Sequence, residues 1–279
     1  MKKWRVIPIK THDPAVNMAI DEALMYSVAD GDPIIRFFKW NPPSVSLAYK
    51  QNLGELDLDA CRELGVKYTR RPTGGRAIYH DPNEEFSYSV IAPRDILPPG
   101  LQSYQEICGW IINGLKSLGL SPELVNKNDV LVEARKIVGS AQYHKFFPER
   151  GSRVLLQQGS INYRTEYLKK TFEVFRVREM ERAMQAASEY ITSISDYSGV
   201  SLQEAYERIR DAFLDGKNFD ESELTPEELE RAEALAREKY GEQTEWTVNE
   251  GRENRGFCHL IWGSQPGDIG YMNEWDGLL

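Results

Sequence analysis

The chain has 279 residues, 43 acidic against 34 basic side chains and a formal net charge of −9, with 41% hydrophobic and 28% charged residues. That balance supports a full apolar core and argues against disorder throughout; it also argues against a general nucleic-acid binder, which presents a basic surface. Three unevenly spaced cysteines give neither a disulfide framework nor a zinc-type pair, and no signal-peptide run or membrane-length apolar segment stands out, so the chain reads as cytoplasmic.

Residues Trp4–Ile9 alternate in the manner of a strand, and Asp13-Pro14 opens a helix running through Met25, with proline and acidic residues early. Ile34–Trp40 and Ser44–Tyr49 read as two strands around Asn41-Pro42-Pro43, and Leu56–Leu64 as a short helix closed by Gly65. Val66–Arg71 is a strand that enters the densest stretch of the chain, Arg70-Arg71-Pro72-Thr73-Gly74-Gly75-Arg76-Ala77-Ile78-Tyr79-His80-Asp81. Glycines let backbone N–H groups approach a ligand closely, and arginines add planar donors suited to carboxylate or phosphate, so the turn reads as a holder of negative charge. The plainer reading is a Pro-Thr-Gly-Gly turn between strands with solvated cations on its flanks.

Glu85–Ile91 alternates as a further strand, and Tyr104, Ile107, Cys108, Ile111, Ile112, Leu115 and Leu118 recur at helical spacing. Asn128–Val132 and Arg135–Ala141, joined by Glu133-Ala134, read as a β-hairpin, followed by a strand within Arg153–Tyr163. Lys136 precedes the small residues Gly139-Ser140-Ala141, which admit a ligand chain, although a lone hairpin lysine is ordinarily exposed and a lone Asp129 is ordinarily a turn former. Beyond Tyr167 the chain turns helical, with Ser201 and Thr225 as N-caps, and the second of those helices, to Lys239, reads as a charged, solvated face.

Taken in order, the Arg70–Asp81 stretch, Asn128-Asp129-Val130 and Arg135–Ala141 resemble the signature blocks of the lipoate–protein ligase and octanoyltransferase family. Gln158–Ile161 resembles the strand that follows, and Lys239-Tyr240 with Glu245-Trp246 the end of the catalytic domain, so the likeness runs from about Trp4 to Asn249. It implies an α+β fold, a mixed β-sheet flanked by helices of the biotin/lipoate protein ligase-like kind, over residues 1–249, with 250–279 as a tail and no separate accessory domain. Biotin ligases are weaker neighbours, since the Arg-Arg-Pro-Thr-Gly-Gly block is not their usual motif. The reaction implied is delivery of an eight-carbon acyl group to a lysine of a lipoyl carrier domain, of the glycine cleavage H protein or 2-oxoacid dehydrogenase E2 type.

The family divides on how the acyl group is activated. In the ligase branch lipoate or octanoate reacts with ATP to give an acyl-adenylate. There Lys136 contacts the acyl carbonyl and the adenylate phosphate as the catalytic residue, and Arg71 with Gly74 and Gly75 holds phosphates. Asp129 helps to hold Mg²⁺, His80 lines the acyl tunnel, and Thr73, Arg76, Tyr79, Asn128, Gly139, Ser140 and Ala141 complete the substrate and ATP site. In the transferase branch a cysteine thiolate takes the acyl group from a carrier. Here Leu120–Ile161 contains no cysteine, Cys61 and Cys108 read as small core residues, and Cys258 lies outside the resemblance. Two positions depart from the ligase pattern: Arg76, where many ligases carry a third glycine and certain transferases carry arginine, and Gln158, where both branches often carry His. Weighting the missing cysteine and the Asn128-Asp129 pair above Arg76 gives an ATP-dependent lipoate–protein ligase. The alternatives are a transferase using Cys258 and a non-catalytic carrier-binding protein. The short tail adds the expectation that the chain either needs a small accessory subunit or performs only the transfer half-reaction efficiently.

Overall fold

In the computed structural model of the chain, residues 2–248 apart from positions 99 and 178 are described; Cys258 and the expected tail over 250–279 fall outside them. Eleven strands are present among the described residues, β1 (Trp4–His12), β2 (Ile34–Trp40), β3 (Ser44–Leu47), β4 (Lys67–Arg70), β5 (Ile78–His80), β6 (Glu85–Pro93), β7 (Pro122–Val125), β8 (Asp129–Val132), β9 (Arg135–Phe147), β10 (Ser152–Asn162) and β11 (Phe219–Glu221). Helices α1 (Pro14–Val28), α2 (Leu58–Glu63), α3 (Leu101–Ser117), α4 (Tyr167–Val174), α5 (Met180–Tyr190), α6 (Leu202–Leu214), α7 (Pro226–Leu235) and α8 (Glu245–Val248) accompany them.

Eight strands form one mixed sheet in the order β11-β1-β2-β6-β10-β9-β8-β7, parallel where β1 meets β11 and β2 and antiparallel from β2 onward. A second sheet, β4-β3-β5, is built from the segments on either side of the Gly-Gly turn. Alternation of side chains across the pleat gives the large sheet two apolar faces. One face packs Phe37, Tyr88 and Val138 against Ile107 and Leu115 of α3 and Ile209 and Phe213 of α6. The other packs Phe38, Ile91 and Leu156 against Leu24 and Met25 of α1. The small sheet has its own core, where Val45, Leu47 and Tyr79 meet α2, α4 and α5 through Cys61, Phe172 and Ala187. The fold is thus the expected mixed sheet flanked by helices.

Local rules place most helix starts. Asp13 Oδ1 accepts from the Ala15 N–H with Pro14 at the first helical position, and Ser201 and Thr225 cap α6 and α7 by accepting from the N–H groups of Glu204 and Glu228. The last of these helices is solvated over most of its surface, as expected, with Glu227, Glu230, Arg231 and Glu233 exposed, but its inner side is anchored. Glu228 receives both terminal nitrogens of Arg5 at 2.5 and 2.7 Å, Ala232 is buried, and α7 runs on into a π-helical turn that delivers Lys239 and Tyr240 to Glu22 of α1. Its charges have partners more than two hundred residues away in sequence, which no local pattern reveals. The strands β7 and β11 are too short for alternation to stand out in the sequence, and α4 and α5 fall within the stretch read only as mostly helical.

Helices α3 and α6 touch where a Cβ on Gly114 would lie 2.8 Å from the Ile209 Cα, a distance that only glycine allows. Gly114→Val is expected to push the helices apart at a cost of about 1–3 kcal/mol, lowering the thermal midpoint by several degrees. Unfolding followed by circular dichroism checks this, and an unchanged midpoint counts against the close crossing.

Candidate functional site

One cavity opens between the turn after β4, strand β5 and the facing ends of β8, β9 and β10. Of the residues singled out in the sequence, Arg71, Thr73, Gly74, Gly75, Arg76 and His80 line it from the first side. Asn128, Asp129, Lys136, Gly139, Ser140 and Ala141 line it from the other, although the two blocks lie some fifty residues apart in the chain. Tyr79 does not reach it: strand alternation sends Tyr79 into the core of the small sheet, parallel to Tyr167 at a ring-centroid distance of 6.5 Å. The sequence reading missed the apolar wall, made by Met18, Phe38, Trp40 and Ile78, and the polar residues Ser46, Ser87 and Ser160.

Within the turn the arginines do different work. Arg70 is buried and donates to the carbonyls of Ala48, Gln51, Trp246 and Thr247, tying α8 to the end of β3. Arg71 donates from Nη1 to the Ser46 carbonyl (2.7 Å) and Ser46 Oγ (3.1 Å), and from Nη2 to the carbonyls of Gly74 (2.8 Å) and Arg76. Four of its five N–H donors are thus spent on the protein, so Arg71 braces the turn. Burial, with Arg70 beside it, lowers its pKa to about 9. Gly75 takes φ of +92°, where a side chain is disfavoured, and a Cβ there would also crowd Arg71 Nη2 at 3.2 Å.

Lys136 reaches the cavity through an irregularity in its strand. Asp129 pairs with Gly139 and Val130 with Val138, but Leu131 then faces Lys136, leaving Ile137 as an extra residue on β9. Successive side chains alternate faces, so this one insertion turns Lys136 onto the face that carries Asp129. Lys136 Nζ sits 2.8 Å from Asp129 Oδ1, and the Thr192 N–H donates to the Lys136 carbonyl to fix the backbone. Burial raises the Asp129 pKa, against the pull of the Lys136 ammonium. A Cβ on Gly139 would stand 3.0 Å from Lys136 Cε and 3.1 Å from Nζ, so the small residue gives the lysine its path. Asn128, which also lines the cavity, donates to the Ser140 carbonyl at 2.8 Å and so helps to hold β9 in place. Gln158 joins the turn to the sheet by accepting from Thr73 Oγ1 (3.0 Å) and donating to Asp21 (2.6 Å).

His80 stacks on Trp40, with 3.9 Å between ring centroids and 11° between planes. Its Nδ1 lies 2.6 Å from Glu85 Oε1 and its Nε2 2.8 Å from Ser46 Oγ, and all three side chains are buried. Among the described residues Asp129 is the one carboxylate lining the cavity, and no group of three His, Cys, Asp or Glu gathers to hold a metal ion. That carboxylate has Lys136 Nζ beside its Oδ1 at 2.8 Å, and the cavity lining offers Mg²⁺, which takes one or two carboxylates together with substrate phosphates, no second carboxylate among the described residues. No helix among the described residues is long and apolar enough to cross a membrane.

A model of the lipoyl protein ligase A/B catalytic domain matches residues 13–214. The octanoyltransferase LipM of Carboxydothermus hydrogenoformans is 34% identical, the match covering 88% of this chain and 98% of that protein. The octanoyltransferase LipM of Brevibacillus brevis is 31% identical over 89% of this chain and 99% of that protein. Among solved structures, a bipartite lipoate protein ligase from Thermoplasma acidophilum superposes with a TM-score of 0.79 at 24% identity, over 92% of this chain and all of that one. A lipoate-protein ligase A bound with ATP gives 0.75 at 25% identity, over 90% and 100%.

These relatives correct the ligase reading. The expected ATP-dependent formation of an acyl-adenylate is overturned by full-length likeness to octanoyltransferases at 31–34% identity. The inference from the absent cysteine fails for a chemical reason, since it holds only if the acyl group must pass through a thiol. The geometry leaves the described thiols outside the cavity. Cys61 is buried under α4, and Cys108 stands behind Ser140, 3.9 Å from its Oγ. Burial pushes both thiols up to about 11, so below that pH they stay protonated and poorly nucleophilic. Iodoacetamide at pH 7.5 is therefore expected to leave Cys61 and Cys108 unlabelled in the folded protein and to label both in guanidinium. Peptide mapping by mass spectrometry reads this, and rapid native labelling of Cys108 would return a thiol to the site.

Proposed function

This chain belongs to the lipoyl protein ligase A/B catalytic domain family, and from that premise we propose that it is an octanoyltransferase, moving an eight-carbon acyl group from a carrier thioester to a lysine of a lipoyl carrier domain. The observation that carries the reading is the Lys136–Asp129 pair beside an apolar wall, in a chain whose full-length relatives are octanoyltransferases.

The chemistry follows from the residues. A thioester carbonyl attacked by an amine develops negative charge on oxygen, and a positioned cation stabilises it without having to reorganise. Lys136 supplies that cation, and Asp129, buried at its side, holds the ammonium in one place. Met18, Phe38, Trp40 and Ile78 give the hydrocarbon chain an apolar lining, each buried methylene contributing about 0.8 kcal/mol. The acyl donor arrives already activated, so the reaction needs neither ATP nor a metal ion. We assign the activity to the segment 1–249, and the acceptor to a lipoyl domain of the H-protein or E2 type.

A purified lipoyl domain incubated with this protein and an octanoyl carrier thioester is expected to gain the mass of one octanoyl group without ATP. Free octanoate with ATP and Mg²⁺ is expected to give none. Lys136→Ala is expected to lower turnover by about 10²–10³-fold while leaving affinity for the lipoyl domain within a factor of a few. Acylation that needs ATP, or a Lys136→Ala variant that turns over normally, overturns the assignment.

A further inference from the structure

Two side chains in the cavity wall and a carboxylate behind them form a chain of contacts that acyl transfer from a thioester does not by itself require. Ser46 on β3 and His80 on β5 lie on one face of the small sheet, and Glu85 begins β6 just beyond the turn after His80. The Glu85 carboxylate can only accept, so at 2.6 Å the protonated ring nitrogen of a neutral His80 is Nδ1. That leaves the Nε2 lone pair to accept from the Ser46 hydroxyl at 2.8 Å. Arg71 donates to the same hydroxyl oxygen at 3.1 Å, adding positive charge where an alkoxide would form. Trp40, stacked on the ring, prevents it from turning away. Ser46, His80 and Arg71 line the cavity together with Lys136, and no described cysteine does.

Resting on the transferase reading, we propose that Ser46, His80 and Glu85 act as nucleophile, base and orienting acid, and that the acyl group crosses this protein as an oxyester on Ser46. A buried histidine satisfied by two neighbours is the ordinary alternative; here the hydroxyl, its base and an arginine converge on the cavity that holds the candidate lysine. In the first step Ser46 Oγ bonds to the acyl carbon and its proton passes to His80 Nε2. The C–S bond then breaks and His80 returns the proton to the departing sulfur, releasing a thiol. In the second step the neutral amine of the carrier lysine attacks the ester carbon. His80 Nε2 takes a proton from that nitrogen and gives it to Ser46 Oγ as the C–O bond breaks, leaving an amide and the original serine. The sum is thioester plus amine to amide plus thiol, with no other reactant. Glu85 touches no reacting atom and acts as a positioning residue through His80.

The test traps the first half-reaction. The full chain is mixed with octanoyl-pantetheine in the absence of a lipoyl domain, quenched in acid and digested with trypsin. The expected adduct is one octanoyl group on the peptide spanning residues 40–50, assigned to Ser46 by fragmentation and stable to neutral hydroxylamine. Ser46→Ala is expected to lose the adduct and on the order of 10³-fold in transfer to the lipoyl domain. Ser46→Cys is expected to carry the adduct as a thioester that neutral hydroxylamine removes, which keeps the test decisive if the alanine variant does not fold. Glu85→Gln is expected to slow adduct formation and to change its pH profile, which a purely structural role would not do. An adduct on Cys258, or wild-type transfer by Ser46→Ala, removes the serine route and leaves the transferase reading standing. Absence of any transfer from the thioester by the wild-type chain removes both.

Discussion

Much of this architecture depends on one buried carboxylate, Asp21. It sits in the middle of α1 with no exposure, and Arg36 of β2 answers it with Nη1 at 2.6 Å from Oδ1. An ion pair withdrawn from water is tolerated only when the remaining lone pairs and protons are also satisfied. Here Ser89 of β6 donates to Oδ1, Gln158 of β10 donates to Oδ2, and Asn17 receives the second guanidinium nitrogen at 2.6 Å. The first helix is thereby locked to three adjacent strands at one depth. Gln158 passes the constraint on by accepting from Thr73, so the position of the Gly-Gly turn is set from the centre of the sheet. Loss of either charge leaves the other buried without a partner, which costs far more than a surface pair contributes.

The other wall of the cavity is set by a change of parity rather than by a charge. Were Ile137 paired with Leu131 in a regular ladder, Lys136 would project from the opposite face of β9, away from the buried Asp129 carboxylate. The bulge, the small Gly139 and the clamp from Thr192 act together, and each is needed for the lysine to reach Asp129. The two walls differ in kind. The turn is held by arginine donors spent on carbonyls, whereas the hairpin sets its lysine against a carboxylate that faces the same space.

Most of the fold was legible because local rules and tertiary packing agree in it. The caps at Ser201 and Thr225, the stripe of α3 and the hairpin around Glu133-Ala134 each follow from residue type and spacing, and each stands where those predict. The two blocks that face each other across the cavity were legible as blocks, and Lys136 as their odd member. Several features were hidden for physical reasons. Trp40 and Ser46 look like strand residues because they are strand residues, and only the meeting of two sheets turns them toward one space. Tyr79 was drawn into the expected site by its place in the motif, while the pleat sends it the other way. Arg76 carries the signal toward a transferase, against the absence of cysteine from Leu120–Ile161.

That absence has a different meaning once the depth of the cavity is considered. A thiol is the better nucleophile in water because much of it can ionise near neutral pH, but burial removes that advantage, as the rise of Cys108 to about 11 beside Ser140 illustrates. At such a depth a thiol and a hydroxyl both need a base within hydrogen-bond reach. The wall that contains Ser46 already has one, in His80, with its tautomer set by Glu85 and its ring held against Trp40. A cysteine introduced on the β8–β9 side would need the same equipment built afresh next to the Lys136–Asp129 pair, where the nearby carboxylate opposes thiolate formation. The constraint on the chemistry is therefore the presence of an oriented base and a fixed cation around the acyl carbon, and a serine meets it where these stand.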